Sequence, residues 1–326
     1  MITYHTLNTV NNFRDTFQIW LLTALIVALV ALLFWGCGDN PESIEVDFTK
    51  KVKVKRPGEQ KANSKVLKVA VGAMISPRET ASHYYALLRY IAGKAEREVE
   101  LIQRKTYGQI NELIAKGQVD MAFICSGPYA TGKDTFNFQA LAVPLIRNKH
   151  TYRSYLIVHK DSYHQELSDL QGKVFAFTDP DSNTGALVPS YWLSKQGVSP
   201  ESFFKKIVYT YSHDNSIMAV ARSLVDAAAV HEQIWEYYNE QNPEYTSKTR
   251  IIKKSEEFGN PLMVAGSHIS DTLKGKIRNI LFNMDEDEEG KNLLEELMIQ
   301  EFIAPNDQWY LPIVAMKKQC SRKGLQ

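Results

Sequence analysis

Neither sign of charge dominates this chain. It carries 38 Lys and Arg against 37 Asp and Glu over 326 residues, a net +1. Removing the first 36 residues takes away one Arg and one Asp and leaves that balance unchanged. A nucleic-acid partner needs a basic excess, so that class is excluded, and an anionic ligand must be held by a local site rather than by a global field. Cysteine is scarce, with three in the chain. Cys37, Cys125 and Cys320 have no metal-ligand spacing and form no even set for a disulfide framework. A Cys125–Cys320 bridge stays open as an alternative to two free thiols, the reading we favour because a buried Cys commonly serves as a small hydrophobe. Enzyme signatures are missing as well. There is no Gly-x-Ser-x-Gly elbow, no P-loop, no His-Glu-x-x-His and no Gly-x-Gly-x-x-Gly. No internal repeat or low-complexity stretch occurs. We therefore expect neither an enzyme nor a bound cofactor or metal.

What is present is a globular composition, 44% hydrophobic and 23% charged, long enough for two domains. Residues 19–35 are seventeen in a row without a charge, followed by Gly36-Cys37-Gly38-Asp39. The Gly-Cys step resembles a bacterial lipoprotein processing site with Cys37 as the lipidated residue. Phe34 and Trp35 depart from that pattern, and an uncleaved single-span anchor is the alternative. Either places the remainder outside the cytoplasm, on the periplasmic face of a membrane. We assign residues 1–37 to this signal or anchor and residues 38–64, polar and aperiodic, to a tether.

From Val66 onward strand and helix alternate. Val66-Leu67-Lys68-Val69-Ala70-Val71 reads as a strand. Ser76-Pro77-Arg78-Glu79 reads as a capping box opening a helix to about Glu98, and a strand follows at 99–102. Thr106-Tyr107-Gly108-Gln109 is a second capping box, its helix stopping at Gly117. Further strands are expected at 119–124, 155–158, 174–177, 207–209, 227–230 and 261–265. Helices are expected at 186–196, 214–223, 270–284 and 288–300. Asp285 to Glu289 reads as a solvated acidic face. This alternation implies an α/β fold with mostly parallel sheets.

One stretch stands out: Phe177-Thr178-Asp179-Pro180-Asp181-Ser182-Asn183-Thr184-Gly185 joins a buried strand to a helix. A helix start presents unpaired N–H groups and the positive end of its dipole. Ser182, Asn183 and Thr184 add side-chain donors, so the turn suits an oxyanion; alternatively Ser182 or Thr184 merely caps the helix. Asp179 and Asp181 read as turn formers. Ser126, Ser212 and His213 fall at strand C-termini or helix starts, where open α/β sheets bind ligands.

These words resemble the periplasmic phosphate/phosphite/phosphonate-binding proteins of ABC importers. The resemblance rests on Ala70-Val71-Gly72, on residues 117–123 and 168–173, on Asp179-Pro180-Asp181-Ser182, on Gly185-Ala186-Leu187-Val188-Pro189, on Ser212-His213 and on residues 225–230. It implies a two-lobed type 2 periplasmic-binding fold with hinged lobes and a ligand cleft between them. Residues 65–152 and 255–318 would form lobe 1, residues 153–254 lobe 2, and 319–326 a tail. It implies an oxyanion grip of Tyr107, Tyr152, Ser182, Asn183, Thr184 and His213, with His213 charged by the bound anion, and Ser126 and Tyr129 in support. Tyr107 would also aim a helix N-terminus at the cleft. Where relatives that bind amino-alkyl phosphonates place carboxylates, the nearest residues here are Gln233 and Asn260. A simple oxyanion such as phosphate, phosphite or a small alkyl phosphonate is the expected ligand, a membrane permease the expected partner, and a monomer the expected state. A sensor module reporting to a separate membrane signalling protein is the alternative.

Overall fold

The computed structural model describes residues 66–72 and 74–322. The candidate anchor, Cys37 and the tether lie outside the described residues. Among those described, no helix is long and apolar enough to cross a membrane.

The chain opens with β1 (Val66–Val71), α1 (Pro77–Lys94), β2 (Glu98–Ile102), α2 (Tyr107–Ala115), β3 (Met121–Ile124), α3 (Ser126–Phe136) and β4 (Gln139–Ile146). A short strand β5 (Thr151–Tyr152) crosses to a second sheet. That sheet is built by β6 (Ser154–His159), β7 (Val174–Phe177), α4 (Val188–Lys195), α5 (Pro200–Phe203), β8 (Lys206–Tyr209), α6 (His213–Ala221), β9 (Ala227–His231), α7 (Glu232–Gln241) and β10 (Thr249–Lys254). The chain returns through β11 (Phe258–Gly259), antiparallel to β5. It ends with β12 (Leu262–Ala265), α8 (Asp271–Phe282), α9 (Glu288–Glu296), β13 (Ile299–Ile303) and α10 (Leu311–Arg322).

The first sheet has the order β13-β4-β12-β3-β1-β2 and the second β10-β6-β9-β7-β8. Both are mixed rather than mostly parallel. β1 is parallel to β2 and β3, and β7 to β8 and β9, because helices make those crossovers. β12 and β6 each enter from a crossing between sheets and run antiparallel to their neighbours. Side-chain alternation sorts the core. In the first sheet Ala70, Ala122 and Val264 face one apolar cluster, while Val69, Met121 and Phe123 face another. The first of these clusters continues into the second sheet through Leu156, Phe175 and Ala229, so one apolar layer serves both lobes.

Several boundaries differ from the sequence reading. Ser76 makes no side-chain cap; its N–H instead donates to the Asp214 carboxylate on α6 at 3.0 Å. Helix α1 stops at Lys94 because Glu96 takes a left-handed φ of 59°. The helix expected through residue 300 stops at Glu296. Met298 has a φ of 56°, and β13 then pairs with β4, burying Ile299 and Phe302. Pairing at a sheet edge overrides local helical preference there. The acidic run is not wholly solvated, since Asp287 accepts from the Tyr90 hydroxyl at 2.6 Å and pairs with Lys94 at 3.2 Å. Residues 319–322 are no loose tail but the last turn of α10, whose Ile313, Met316 and Cys320 share a helical face. That face packs against α3 and α4. Cys125 and Cys320 are both buried and form no disulfide with each other.

Ile313 is fully buried, whereas Val314 beside it is 41% exposed. Ile313→Ala is expected to cost about 2–5 kcal/mol in denaturant unfolding, and Val314→Ala under about 0.5 kcal/mol. Equal small effects would remove α10 from the core.

Candidate functional site

The 179–187 segment is shaped by three local constraints. Ser182 caps the following turn, its Oγ accepting the Gly185 N–H at 3.0 Å. The capping alternative is thus realised, at Ser182. The turn is a single π-turn over Asn183–Leu187 that runs into α4, so the helix begins before the expected residue 186. A Cβ on Gly185 would lie 2.1 Å from Thr178 Oγ1, which leaves glycine as the residue that fits. The Thr184 carbonyl accepts from Ser154 Oγ at 2.8 Å, tying the turn to β6. Thr184 Oγ1 itself is buried and has no partner.

Around this turn the structure gathers most of the expected residues. Tyr152, on the crossing strand, lies with its hydroxyl 2.5 Å from Ser126 Oγ and accepts from Asn183 Nδ2 at 3.2 Å. Its ring stacks on His231 with centroids 4.0 Å apart. Ser126 opens α3, and α3 approaches the turn so closely that a Cβ on Gly127 would sit 2.5 Å from the Asp181 carbonyl oxygen. Tyr107 opens α2, and its phenol is buried without a partner. Burial, with Cys125 and Asp179 nearby, pushes that phenol well above its usual pKa, so it stays a donor.

His213 opens α6 after the Ser212 cap, with its N–H given to the Met74 carbonyl at 2.9 Å. The His231 main-chain N–H points at His213 Nδ1 at 3.1 Å. A backbone N–H can only donate, so Nδ1 is the acceptor and Nε2 carries the proton. Nε2 is buried and unpartnered. Burial depresses the pKa of His213 to about 3. Burial and the helix N-terminus thus favour the neutral ring, which offers one N–H; the charged form was expected only beside a bound anion.

A correction concerns α2. Its first N–H, from Tyr107, is already given to Asp179 Oδ2 at 3.1 Å, so a carboxylate from the second sheet occupies that helix start. Asp179 does form a turn, accepting the Asp181 N–H at 2.9 Å, but it also bridges the two lobes. Burial raises its pKa to about 6 against the pull of those two N–H donors.

Two residues beside the turn were not among the expected site residues. Cys125 is the N-cap of α3, with the Asn183 and Gly127 N–H groups and the Tyr152 hydroxyl around a thiol whose pKa burial pushes up. His231 ends β9, and its Nδ1 is buried and unpaired. A polar residue closing the Ala-Ala-Ala-Val strand is the signal the sequence holds for it.

Three expected residues lie elsewhere. Tyr129 donates to Asp307 at 2.7 Å and packs edge-on to Tyr310 at 4.8 Å, lining a separate surface cavity with Lys133. Asn260 donates to the carbonyls of Pro144 and Lys149 at 2.9 and 3.1 Å, which makes it scaffolding for the return crossing. Gln233 donates to Asn260 Oδ1 at 2.9 Å and lines an apolar cavity. The nearby carboxylates are turned away: Glu232 accepts from the Arg153 N–H and Tyr155, Glu257 pairs with Arg153, and Glu256 is exposed. No cluster able to hold a metal occurs among the described residues.

Among the described residues, eight buried side-chain polar atoms lack a hydrogen-bond partner, and five belong to Tyr107, Asn183, Thr184, His213 and His231. Each such atom costs about 1–3 kcal/mol if left unmet, so their concentration marks a place made for a polar guest.

Two α/β lobes joined by two crossings, with unmet donors where helix starts from both lobes meet, define the class of two-lobed periplasmic solute-binding proteins. Comparison with known proteins narrows this. A sequence model of the periplasmic phosphonate substrate-binding proteins of ABC transporters matches residues 69–310, and the chain belongs to that family. It is 27% identical to the phosphonates-binding periplasmic protein of Escherichia coli over 280 residues, 82% of each chain. It is 24% identical to a probable phosphite-binding ABC transporter protein of Prochlorococcus marinus, over 52% of this chain and 62% of that one. Among solved structures, the binding-protein component of an ABC phosphonate transporter from Pseudomonas aeruginosa superposes with a TM-score of 0.76 at 25% identity, covering 80% of this chain and 88% of that one. The Prochlorococcus protein in complex with methylphosphonate shares the fold, with a TM-score of 0.70 at 20% identity over 80% of this chain and all of that one. The protein is thus a periplasmic binding component of an ABC importer, which implies a membrane permease as its partner.

Because the folded-state pKa of Asp179 lies above the ordinary 3.8, the folded protein holds a proton that the unfolded chain has lost. That contribution to stability is present at low pH and is lost as pH rises through about 6. The melting temperature of the wild type relative to Asp179→Asn should therefore climb as pH falls from about 7 to about 4. Parallel pH profiles of the two proteins would contradict this.

Proposed function

We propose that the protein captures a phosphorus oxyanion (phosphate, phosphite or a small alkyl phosphonate) by closing its lobes on it, and presents the closed form to the permease as a monomer. The observation that carries this reading is the set of unpaired buried atoms on Tyr107, Thr184 and His213 around the Ser182–Gly185 turn. Thr184 and Tyr107 supply hydroxyl protons, and His213 supplies Nε2–H. Ser182 accepts the Gly185 N–H and keeps its own proton to donate. Ser126, at the start of α3, and Tyr152 complete the ring. Asn183 faces the same space with Oδ1, an acceptor suited to a protonated oxygen of the ligand.

None of these residues is cationic. Negative charge is met by neutral donors and helix N-termini, as in other oxyanion sites. Donors alone bind; hydrolysis or transfer would need a nucleophile paired with a base, and His213 spends its Nδ1 on a main-chain N–H. Binding without turnover is the resulting activity. Closure follows from the division of the donors, because Tyr107 and Ser126 come from the first sheet's side and Ser182, Thr184 and His213 from the second's. A ligand touching both favours the closed state by its differential affinity. The signalling alternative draws no support from relatives that are transporter components.

Replacing Ser182 and Thr184 together by Ala should abolish phosphate and methylphosphonate binding in calorimetric titration, with the circular dichroism spectrum unchanged. Retention of wild-type affinity would refute the grip. Gly127→Ala tests closure, since its new Cβ would lie 2.5 Å from the Asp181 carbonyl oxygen across the meeting of the two lobes. Anion affinity should drop at least about tenfold while the circular dichroism spectrum holds. An unaltered affinity would count against closure.

A further inference from the structure

The turn that follows β4 carries Arg147 and Asn148, both with left-handed backbones, φ 52° and 60°. Ile146 and Lys149 exchange main-chain hydrogen bonds of 3.0 and 2.9 Å around them, so this is a two-residue hairpin whose central positions call for positive φ. Asparagine tolerates that region; arginine is uncommon there and enters it at a cost. The Asn148 N–H donates to Gln300 Oε1 at 2.7 Å, which fixes the turn to β13 of the first sheet. From this fixed point the Arg147 guanidinium reaches α7, which lies between β9 and β10 of the second sheet. Its Nη1 is 3.3 Å from Glu236 Oε2 and its Nη2 is 2.5 Å from Glu240 Oε1. Among the described ion pairs, these two alone join the sides of the two sheets away from the crossing strands.

We propose that Arg147, Glu236 and Glu240 form an ionic clasp that holds the closed form shut and sets how slowly the ligand leaves. The inference rests on the closure reading above and assigns affinity-setting residues outside the grip. Three observations lead to it. Glu232, Glu236 and Glu240 follow one another at four-residue spacing on α7, where like charges repel. Glu232 accepts the Arg153 main-chain N–H and shares the Tyr155 hydroxyl with Glu236, so those two have partners within their own half. Glu240 does not: its cation comes from the other half. Glu240 also stands one residue from the end of α7, where the helix dipole disfavours an acid and favours a cation. A guanidinium brought there by closure relieves both the repulsion and the dipole conflict. Finally, Arg147 occupies a backbone position better suited to Asn or Gly, and a strained residue at a lobe junction points to a task for its side chain. The clasp is half-exposed, so its effect is modest and sensitive to salt. Because Arg147 makes no bond to a grip residue, the clasp acts on the open–closed balance and leaves ligand choice to the grip.

The test is calorimetric titration of phosphate and methylphosphonate into wild type, Arg147→Asn, Glu240→Gln and the double variant. Small-angle X-ray scattering with and without phosphate follows closure in parallel. Asn suits the left-handed turn, so Arg147→Asn should keep the ligand-free melting temperature. It should nevertheless weaken both anions by the same factor, about three- to tenfold, the yield of two half-exposed pairs. Stopped-flow measurement should place that loss in faster dissociation. The double variant should bind no more weakly than Arg147→Asn alone, since the two groups act as one unit. Raising NaCl from about 0.02 M to about 0.5 M should cost the wild type about threefold more affinity than it costs Arg147→Asn. A merely structural role for Arg147 would move neither the salt response nor this additivity. Equal affinities and equal salt responses in wild type and Arg147→Asn would overturn the clasp and leave closure standing. Unequal losses for the two anions would overturn it as well, by placing Arg147 at the ligand. Phosphate binding without a smaller radius of gyration would overturn closure, and the clasp with it. Failure of the wild type to bind either anion would overturn the oxyanion reading itself.

Discussion

The structure turns on the meeting of the 179–185 turn with two helix starts from the opposite sheet. Asp179 takes the first N–H of α2, and the main chain at 181–183 rests on Gly127 of α3. That approach is possible because one position lacks a Cβ and one carboxylate tolerates burial. From it follows the burial of the unpartnered Thr184 and Tyr107 hydroxyls.

The electrostatics of this arrangement are unusual in their sign. A carboxylate stands beside the place proposed for an anion, and no lysine or arginine belongs to the grip. Asp179 shares its negative charge with N–H groups of Tyr107 and Asp181, while the guest is met by hydroxyls and one imidazole N–H. Neutral, preset dipoles discriminate by geometry and proton count. A flexible ammonium would attract any anion within reach.

The sequence showed the parts of this site that obey local rules. The capping box at Thr106 and the strand at residues 174–177 appear as expected, because cap chemistry and apolar runs are properties of a few adjacent residues. Ser126, Ser182, Asn183, Thr184 and His213 share a local mark, a strand C-terminus or helix start, whereas Tyr152 joined them only through a family resemblance. What escaped was decided across the fold. The state of His213 depends on a backbone N–H contributed by residue 231. Asn260 was expected beside the ligand, and its amide is held by two carbonyls from the 144–149 segment. β13 and the end of α10 depend on neighbours that arrive from far along the chain, so local preference misread both.

The last helix has a mechanical meaning. It packs on α3 and α4, which belong to different sheets, and the residues just before it press on the crossing ribbon, with Gly259 lying close to Trp309 and Tyr310. The two covalent crossings and this helix thereby form one continuous join between the halves, like the spine of a book. Pages so bound part from the far side and least at the spine. Cys320, set in that spine against Ser194, is a natural fiducial mark: a probe there would stay nearly still while one at the free edge swept the full arc.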